Sequence, residues 1–307
     1  MAARATRSAS RAAASSSSED ASRCLLLALS HDELGVIVDG LADPLQPVVA
    51  VALSSTCLGL RTPLGAALEV LKERHEKAVA LCRKLHNQSC VEVRDAERIY
   101  GTSSLVADDA ATLGMILRTN GLPRLQELYI ASNALGDTGV QALCEGLARG
   151  AAPSLRALSL AANKFGPAGA EALAAALRRG AMPKIEILSL YGNPIGNQGV
   201  AALAAPLRKM PALNQLLLSR CEIGDEGVAS LAANLGKDDF KALKYLYQNH
   251  NKITDAGVAK LLAGLNAGGL PKLVSQTDLL RGNPASAVAV GAVHAALVKR
   301  GAPVGYC

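Results

Sequence analysis

Three side chains near residue 90 have the types and spacing of metal ligands. Cys82, His86 and Cys90 stand four residues apart, so on a helix they would share one face and present thiolate and imidazole groups to a zinc ion. The chain contains no Cys-x-x-Cys pair, and three ligands alone favour the alternative that Cys82 belongs to the core and the other two are incidental. We therefore expect no metal site.

Other acidic and imidazole side chains adjoin one another without forming a catalytic pattern. His31, Asp32 and Glu33 combine acid and base groups, but a helix N-cap at Asp32 explains them better because apolar residues follow at helical spacing. His75-Glu76 lacks the second histidine of a zinc-protease helix, and the nucleotide-binding pattern G-x-x-x-x-G-K-[ST] does not occur. We expect a non-enzymatic protein that binds no cofactor.

Composition narrows the class of protein further. The chain has 307 residues, half of them hydrophobic, and a formal charge of +6 that is too small and too scattered to indicate nucleic-acid binding. Its seven cysteines are odd in number and irregularly spaced, which is typical of a reduced intracellular protein with no disulfide framework. The uncharged run 44–60 is too short for a membrane helix, so no membrane partner is expected.

The first 23 residues consist almost entirely of alanine, serine and arginine. Such a segment cannot bury apolar surface and is predicted to be a disordered tail. The same composition is typical of an organelle transit peptide, although Glu19 and Asp20 interrupt it. A cytoplasmic or nuclear location is expected, with organelle import through the tail left open.

Residues 24–90 are predicted to form a small helical region. Apolar residues at helical spacing follow Asp32, the pair Asp43-Pro44 breaks that helix, and a second apolar helix runs to about Leu60. The periodicity of residues 63–88 predicts one longer amphipathic helix.

A repeated frame begins at Leu122 and positions the remaining side chains. Each unit has two leucine-type positions, then an asparagine-type position five residues on, then another apolar position. The five units place these positions at Leu125, Leu128, Asn133 and Leu135; Leu155, Leu158, Asn163 and Phe165; Ile185, Leu188, Asn193 and Ile195; Leu213, Leu216, Cys221 and Ile223; and Leu243, Leu246, Asn251 and Ile253. The frame resembles that of leucine-rich repeats, and its spacing of 28 to 30 residues resembles the ribonuclease-inhibitor type.

The resemblance covers about Leu105 to Gly301 and implies an α/β solenoid over residues 91–307, with a parallel inner sheet and outer helices. Alternate leucines point into the solenoid, and the asparagines satisfy backbone groups at the turns. We expect polar residues in the helix N-cap positions, namely Asp137, Asn197, Asp225 and Asp255.

The ends of the repeat array are predicted to be irregular. A degenerate first unit has its strand near Ile99-Tyr100, and Asn283 belongs to a last unit with two extra residues before it. Gln248 occupies a core leucine position, where we expect local distortion.

Residues between the buried leucines of each strand are predicted to face outward on the concave side of the solenoid. The residues proposed to bind a protein partner there are Glu127, Tyr129, Ser159, Ile187, Ser189, Tyr191, Leu217, Ser219, Tyr245, Tyr247 and Asn249. Tyrosines beside exposed apolar side chains are typical of protein-binding surfaces. The alternative is that these positions are solvated and that the tyrosines merely favour strands.

The segment "LSHDELGVIVDGLADPLQPVVAVALSSTCLGLR" resembles an F-box. In that family the motif binds the adaptor subunit of cullin-based ubiquitin ligases, while leucine-rich repeats often hold the substrate. Here serine replaces the usual proline after the first leucine, and the usual aromatic residue near the end is absent. Residues that would contact the adaptor are Leu34, Ile37, Leu41, Pro44 and Leu45. The alternative is a helical cap on the solenoid.

These observations predict a protein-binding scaffold that uses the concave face, with a substrate-recruiting F-box-like subunit as its leading specific form. One alternative is a GTPase activator resembling the Ran-activating leucine-rich proteins, although the C-terminal residues LVKRGAPVGYC lack the acidic tail usual in that group. Another alternative is a generic leucine-rich interaction protein with no link to a ligase.

Overall fold

A computed structural model describes residues 34, 37, 41–56, 58–86, 89–119, 121–233, 235, 239–276, 279–301 and 304–305. Two predictions lie outside the described residues: the disordered tail over residues 1–23 and the helix N-cap at Asp32. The chain divides into two compact units, residues 1–78 and 79–307. The predicted division after residue 90 remains a prediction.

The described part of the first unit is helical. Leu34, Ile37 and Leu41 have helical backbone, and the helices α1 (Val48–Thr56) and α2 (Leu58–Lys84) follow, with α2 continuing beyond the unit. The predicted break at Asp43-Pro44 is present, because the Asp43 Oδ1 atom accepts the Leu45 N–H at 2.8 Å and turns the chain. His75 Nδ1 and the Pro44 carbonyl oxygen lie 2.7 Å apart and tie this turn to α2.

The second unit alternates strands with helices. After α3 (Cys90–Asp95), the elements are β1 (Arg98–Tyr100), α4 (Ala107–Thr119), β2 (Glu127–Tyr129), α5 (Gly136–Gly146), β3 (Ala157–Ser159), α6 (Pro167–Arg178), β4 (Ile187–Ser189), α7 (Gly196–Arg208), β5 (Gln215–Leu217), α8 (Asp225–Ala232), β6 (Tyr245–Tyr247), α9 (Asp255–Asn266), β7 (Ser275–Gln276), α10 (Ala287–Lys299) and β8 (Val304–Gly305).

Strands β1 to β6 form one parallel sheet in chain order. Its register aligns the central residue of every strand: Ile99, Leu128, Leu158, Leu188, Leu216 and Leu246. All six side chains are buried, and each helix from α4 to α9 packs on the next one along the chain. The predicted α/β leucine-rich repeat solenoid is confirmed, including the first unit with its strand at Ile99.

The asparagines form a buried ladder at the ends of the strands. Asn193 is representative, because its Oδ1 atom accepts the Asn163 N–H at 2.7 Å and its amide donates to the carbonyls of Leu160 and Leu190 at 2.9 Å. Asn251 and Asn283 make the same kinds of bond across neighbouring repeats. The prediction that these asparagines satisfy backbone groups at the turns is confirmed.

Polar residues in the first turn of several helices cap the helix of the following repeat. Asp137 Oδ1 accepts the N–H groups of Gly166 and Gly169 at 2.8 and 2.7 Å. Asn197, Asp225 and Asp255 likewise accept N–H groups from Gly224, Thr254 and Ser286. The expectation that they occupy the N-cap positions of their own helices is wrong, since those N-caps include Leu135 and Ile195.

The backbone conformation of the residue that leads into a helix, here called the helix entry, depends on whether this cap is present. Gly166, which receives the Asp137 cap, has extended backbone at φ −107°. Gly196 receives no such cap, because the preceding repeat has Pro167 at the position equivalent to Asp137. Gly196 instead adopts φ +60° and donates its N–H to the Cys221 carbonyl at 3.0 Å. Where no side chain provides an acceptor, the N–H of the helix-entry residue therefore donates to a backbone carbonyl of the following repeat.

The array becomes irregular after β6, as predicted. The short strand β7 pairs with β8 and is not part of the six-stranded sheet. Gln248 is fully buried at the core leucine position of its repeat, and neither polar atom of its side chain has a hydrogen-bond partner among the described residues.

Candidate functional site

The concave face consists of the side chains that alternate with the buried central residues of β1 to β6. The strand register sets them in rows across the sheet. One row contains Arg98, Glu127, Ala157, Ile187, Gln215 and Tyr245, and the next contains Tyr100, Tyr129, Ser159, Ser189, Leu217 and Tyr247. Two residues after each of strands β4 to β6, a shorter third row contains Tyr191, Ser219 and Asn249. The carbonyl of Ser219 accepts the Gly192 N–H, and the carbonyl of Asn249 accepts the Arg220 N–H.

Two stacked tyrosines mark the N-terminal end of the concave face. The rings of Tyr100 and Tyr129 lie 5.3 Å apart between centroids and are nearly parallel, at 7°. Arg98 and Glu127 form an ion pair beside them at 3.4 Å. Burial, the Glu127 carboxylate and the Tyr100 hydroxyl together raise the pKa of Tyr129 above its usual value, so its hydroxyl stays a hydrogen-bond donor at neutral pH.

Tyr245 and Tyr247 stand at the opposite, C-terminal end, both half-buried on β6. Leu217, also half-buried, is the register partner of Tyr247 on β5. Beyond them, the Ser219 hydroxyl is hydrogen-bonded to the half-buried Asn249 side chain. This end therefore combines aromatic and aliphatic surface with a side-chain amide.

The middle of the concave face is a floor of small residues. Ser159 and Ser189 are each only 8% exposed, and Ser219 and Ala157 are buried as well. Ser159, Ser189 and Ser219 lie on the predicted side with little exposed surface, because strand alternation sets the direction of a side chain and not its depth. Their role in binding stays a prediction. Tyr191, at 38% exposure, and the half-buried Ile187 rise beside this floor.

Sequence reasoning placed a strand at Ile99-Tyr100 yet missed Tyr100 as a concave-face residue. Tyr100 is 40% exposed and stacks on Tyr129. The repeat pattern could have identified Tyr100. In each of the strands β2 to β6 the residue after the central apolar position faces outward, and Tyr100 follows Ile99 in the same way.

The residues predicted to contact a ligase adaptor do not form one exposed surface. Leu34, Pro44 and Leu45 are buried, Ile37 is half-buried, and Leu41 alone of the five is exposed. Leu34, Pro44 and Leu45 therefore offer little surface to a partner. The adaptor-binding role of the five residues stays a prediction. Exposed apolar side chains lie instead on α1, at Val48, Val49 and Val51.

The geometry of Cys82, His86 and Cys90 differs from the helical face that their spacing predicts. Helix α2 ends at Lys84, and Cys90 begins α3. The two thiols nevertheless come within 3.6 Å of each other between the Sγ atoms. Across the described ranges, no cluster of three or more histidine, cysteine or acidic side chains has a metal-binding arrangement.

Comparisons with known proteins identify the repeats. A leucine-rich repeat family model matches residues 122–144, 151–174, 181–204 and 210–232. A comparison with curated proteins gave no match. Residues 122–232 are thus leucine-rich repeats, which support a protein-interaction scaffold. Of the helices in the described part of the chain, none is both long and apolar enough to span a membrane.

Proposed function

We propose that this protein is a scaffold that binds a protein partner on its concave face, using the tyrosines at both ends of that face as anchors. The observation that carries the proposal is the contrast across the sheet. Tyr100 and Tyr129 stand at one end, Tyr245 and Tyr247 at the other, and a floor of small buried residues lies between them.

The spacing of the two tyrosine pairs suits a protruding element of a folded partner. Four strand spacings of about 4.8 Å separate β2 from β6, which is roughly 19 Å along the sheet. An α-helix with its side chains is about 10–12 Å wide. A partner helix or loop can therefore rest on the small residues of β3 and β4 while its flanks contact the tyrosines.

Tyrosine is well suited to the anchoring role. It provides a large apolar surface and a hydroxyl donor, and ordering it costs little conformational entropy. Tyr100 and Tyr129 are also held in place by stacking before any partner arrives. Truncation of such anchors typically weakens binding by about 2 kcal/mol or more, whereas the buried serines of the floor contribute shape.

The proposal is tested by affinity capture with the full chain, identification of the partner by mass spectrometry, and titration with the purified partner. Tyr129→Ala and Tyr247→Ala are each expected to weaken binding at least tenfold, which is about 1.4 kcal/mol. The matched controls Arg178→Ala and Lys260→Ala lie on exposed helix positions and should leave affinity unchanged. Loss of binding in the controls with retention in the tyrosine variants would refute the proposal.

A second candidate concerns the first unit and follows from its resemblance to an F-box. Leu41, Val48, Val49 and Val51 are exposed, and an apolar surface of this kind suits an adaptor subunit. Val48→Asp combined with Val49→Asp should abolish co-purification with a cullin-ligase adaptor while the repeats stay folded. Failure of the unaltered chain to bind any such adaptor would remove this candidate.

We also propose that the repeats are of the ribonuclease-inhibitor-like type. The interval of 28 to 30 residues between the asparagine-type positions supports the ribonuclease-inhibitor-like type. The rival activity suggested by that type, GTPase activation, would appear as faster GTP hydrolysis by a Ran-like GTPase when the chain is added.

A further inference from the structure

The closest pair of thiols in the described part of the chain lies away from the concave face. Cys82 Sγ and Cys90 Sγ are 3.6 Å apart, and a disulfide bond is about 2.05 Å long. An approach of roughly 1.5 Å would therefore join them. Cys82 is buried and Cys90 is half-buried, so Cys90 is the more exposed of the two residues.

The backbone around this pair covers an edge of the sheet. The His86 N–H donates to the Tyr100 carbonyl, and the Thr102 N–H donates to the Lys84 carbonyl, both at 3.0 Å. Segment 84–86 therefore lies beside the chain at the end of β1, the first strand of the sheet. Exposed strand edges invite pairing with other chains, so this covering segment protects the solenoid and supports Tyr100.

We propose that Cys82 and Cys90 form a reversible disulfide that joins the end of α2, next to this covering segment, to the start of α3, the helix leading into β1. The oxidant is a low-molecular-weight disulfide such as glutathione disulfide. The bond closes the short loop between the end of α2 and the start of α3, and it leaves the concave face open. The formation of this disulfide does not require a partner on the concave face.

The reaction is a pair of thiol–disulfide exchanges. The Cys90 thiolate attacks one sulfur of glutathione disulfide, forming a mixed disulfide and releasing one glutathione thiolate. Cys82 then loses its proton to solvent and attacks the Cys90 sulfur, which releases the second glutathione thiolate. Two protein thiols and one glutathione disulfide thus yield one protein disulfide and two reduced glutathione molecules.

Accessibility distinguishes the order of attack and separates this pair from other described thiols. Burial, together with the neighbouring Cys90 thiol, raises the pKa of Cys82 to about 12, so Cys90 attacks first and Cys82 resolves. Cys144 and Cys221 are buried, and burial raises their pKa values to about 12 and about 11. Both are therefore poor nucleophiles towards glutathione disulfide at neutral pH. Cys82 is also a poor nucleophile towards an external reagent, but it reacts within the mixed disulfide because its sulfur already lies close to that of Cys90.

The first test is to map the disulfide in the full chain with Cys24, Cys57 and Cys307 replaced by serine. The protein is incubated with glutathione disulfide, alkylated, digested and analysed by mass spectrometry. We expect one linked pair of peptides containing Cys82 and Cys90, with both thiols recovered after reduction. In the added variant Cys82→Ser, Cys90 should accumulate as a mixed disulfide with glutathione. Equal accumulation of that mixed disulfide in the parent would overturn the proposal, as would the absence of the linked pair.

The second test measures what the bond does to the fold. Oxidation should raise the midpoint of thermal unfolding of the parent protein by about 5 °C, because a closed loop restricts the unfolded chain. Cys90→Ser treated in the same way should show no shift, and the buried-thiol control Cys144→Ser should shift like the parent. An oxidised parent that unfolds at the same temperature as the reduced parent would overturn the fastening role.

Discussion

The repeat built on β4 and the repeat built on β6 share the same ladder of backbone hydrogen bonds but differ in polarity at one core position, Leu190 in the first and Gln248 in the second. In the β4 repeat, the Leu190 N–H donates to the Leu217 carbonyl at 2.9 Å, and Asn193 donates to the Leu190 carbonyl. In the β6 repeat, the Gln248 N–H donates to the Leu279 carbonyl at 3.0 Å, and Asn251 donates to the Gln248 carbonyl. Both side chains are fully buried, yet one is apolar and the other is an amide.

The hydrogen-bond ladder, and not the leucine side chain, therefore sets the course of the backbone. The asparagines keep the turn in place even where the core position carries the wrong kind of side chain. The glutamine affects its surroundings only locally. Its side-chain amide lacks a hydrogen-bond partner among the described residues, and it adjoins a cavity of about 10 Å³ lined mainly by apolar residues. Six strands form the continuous sheet, and β7 lies outside it.

The largest expected effect on stability comes from placing a glutamine, as found at Gln248 in the β6 repeat, at the equivalent core position of the β4 repeat. Leu190→Gln removes apolar burial worth about 1.5–3 kcal/mol and buries an amide whose unmet hydrogen bonds cost about 1–3 kcal/mol. We expect a loss of about 3–5 kcal/mol in the free energy of unfolding, measured by denaturant titration. The exposed control Arg178→Gln should change stability by about 0.5 kcal/mol or less. A loss below about 1 kcal/mol for Leu190→Gln would mean that the ladder alone determines stability.

The reciprocal change should repair the β6 repeat. Gln248→Leu removes an unpaired buried amide and restores an apolar side chain beside the cavity, so we expect a gain of about 1–3 kcal/mol in the same titration. Gln215→Leu, a matched change at a half-buried position on the concave face, should be nearly neutral. Destabilisation by Gln248→Leu would show that the amide makes a needed hydrogen bond.

A smaller effect should separate the two kinds of helix entry. Gly196 has φ +60° and open space where a Cβ would stand, whereas Gly166 is extended and a Cβ there would meet only ordinary contacts at 3.7 Å. Gly196→Ala should therefore cost about 1–2 kcal/mol through left-handed strain. Gly166→Ala should cost about 0.5 kcal/mol or less. Equal costs in paired denaturant titrations would contradict the distinction between the entries.

The smallest effect concerns acid stability at the cap between α8 and α9. Partial burial opposes ionisation of Asp225, but hydrogen bonds from the hydroxyl and N–H of Thr254 and from the Gly257 N–H outweigh it and hold the pKa of the carboxyl below its usual value. Its contribution is therefore complete above the unfolded pKa of about 3.9 and is lost as the pH falls through the lower folded value. Asp225→Asn should lose less stability than the unaltered protein between about pH 5 and pH 2. Identical pH profiles would show that the cap adds nothing.

Repeating side-chain types made much of this architecture predictable. Leu188 and Asn193 recur at fixed offsets in neighbouring units, and each type has one physical use at its position: core packing for leucine and backbone pairing for asparagine. The same logic found the first strand through Ile99. The register and the core-facing residues therefore followed from the pattern, and the solenoid followed from the resemblance of that pattern to leucine-rich repeats.

Features that depend on contacts between repeats were not predictable in this way. Asp137 caps backbone groups 29 and 32 residues away, and local spacing cannot distinguish such a cap from one within the same helix. Ser159 and Ser189 face the predicted side, but their depth depends on larger neighbours. Helical spacing also failed for Cys82 and Cys90, because α2 ends before the second thiol is reached.

Site-specific photo-crosslinking shows directly whether the concave face binds a protein partner. The photoreactive amino acid p-benzoylphenylalanine is introduced in place of Tyr191 or Leu217 on the concave face and, for comparison, Arg178 or Lys260 on the outer helices. After irradiation in cells, adducts are identified by mass spectrometry. We predict one shared partner protein crosslinked from Tyr191 and Leu217 and absent from the Arg178 and Lys260 samples. A partner crosslinked only from Arg178 or Lys260 would contradict the account and place the binding surface on the helices.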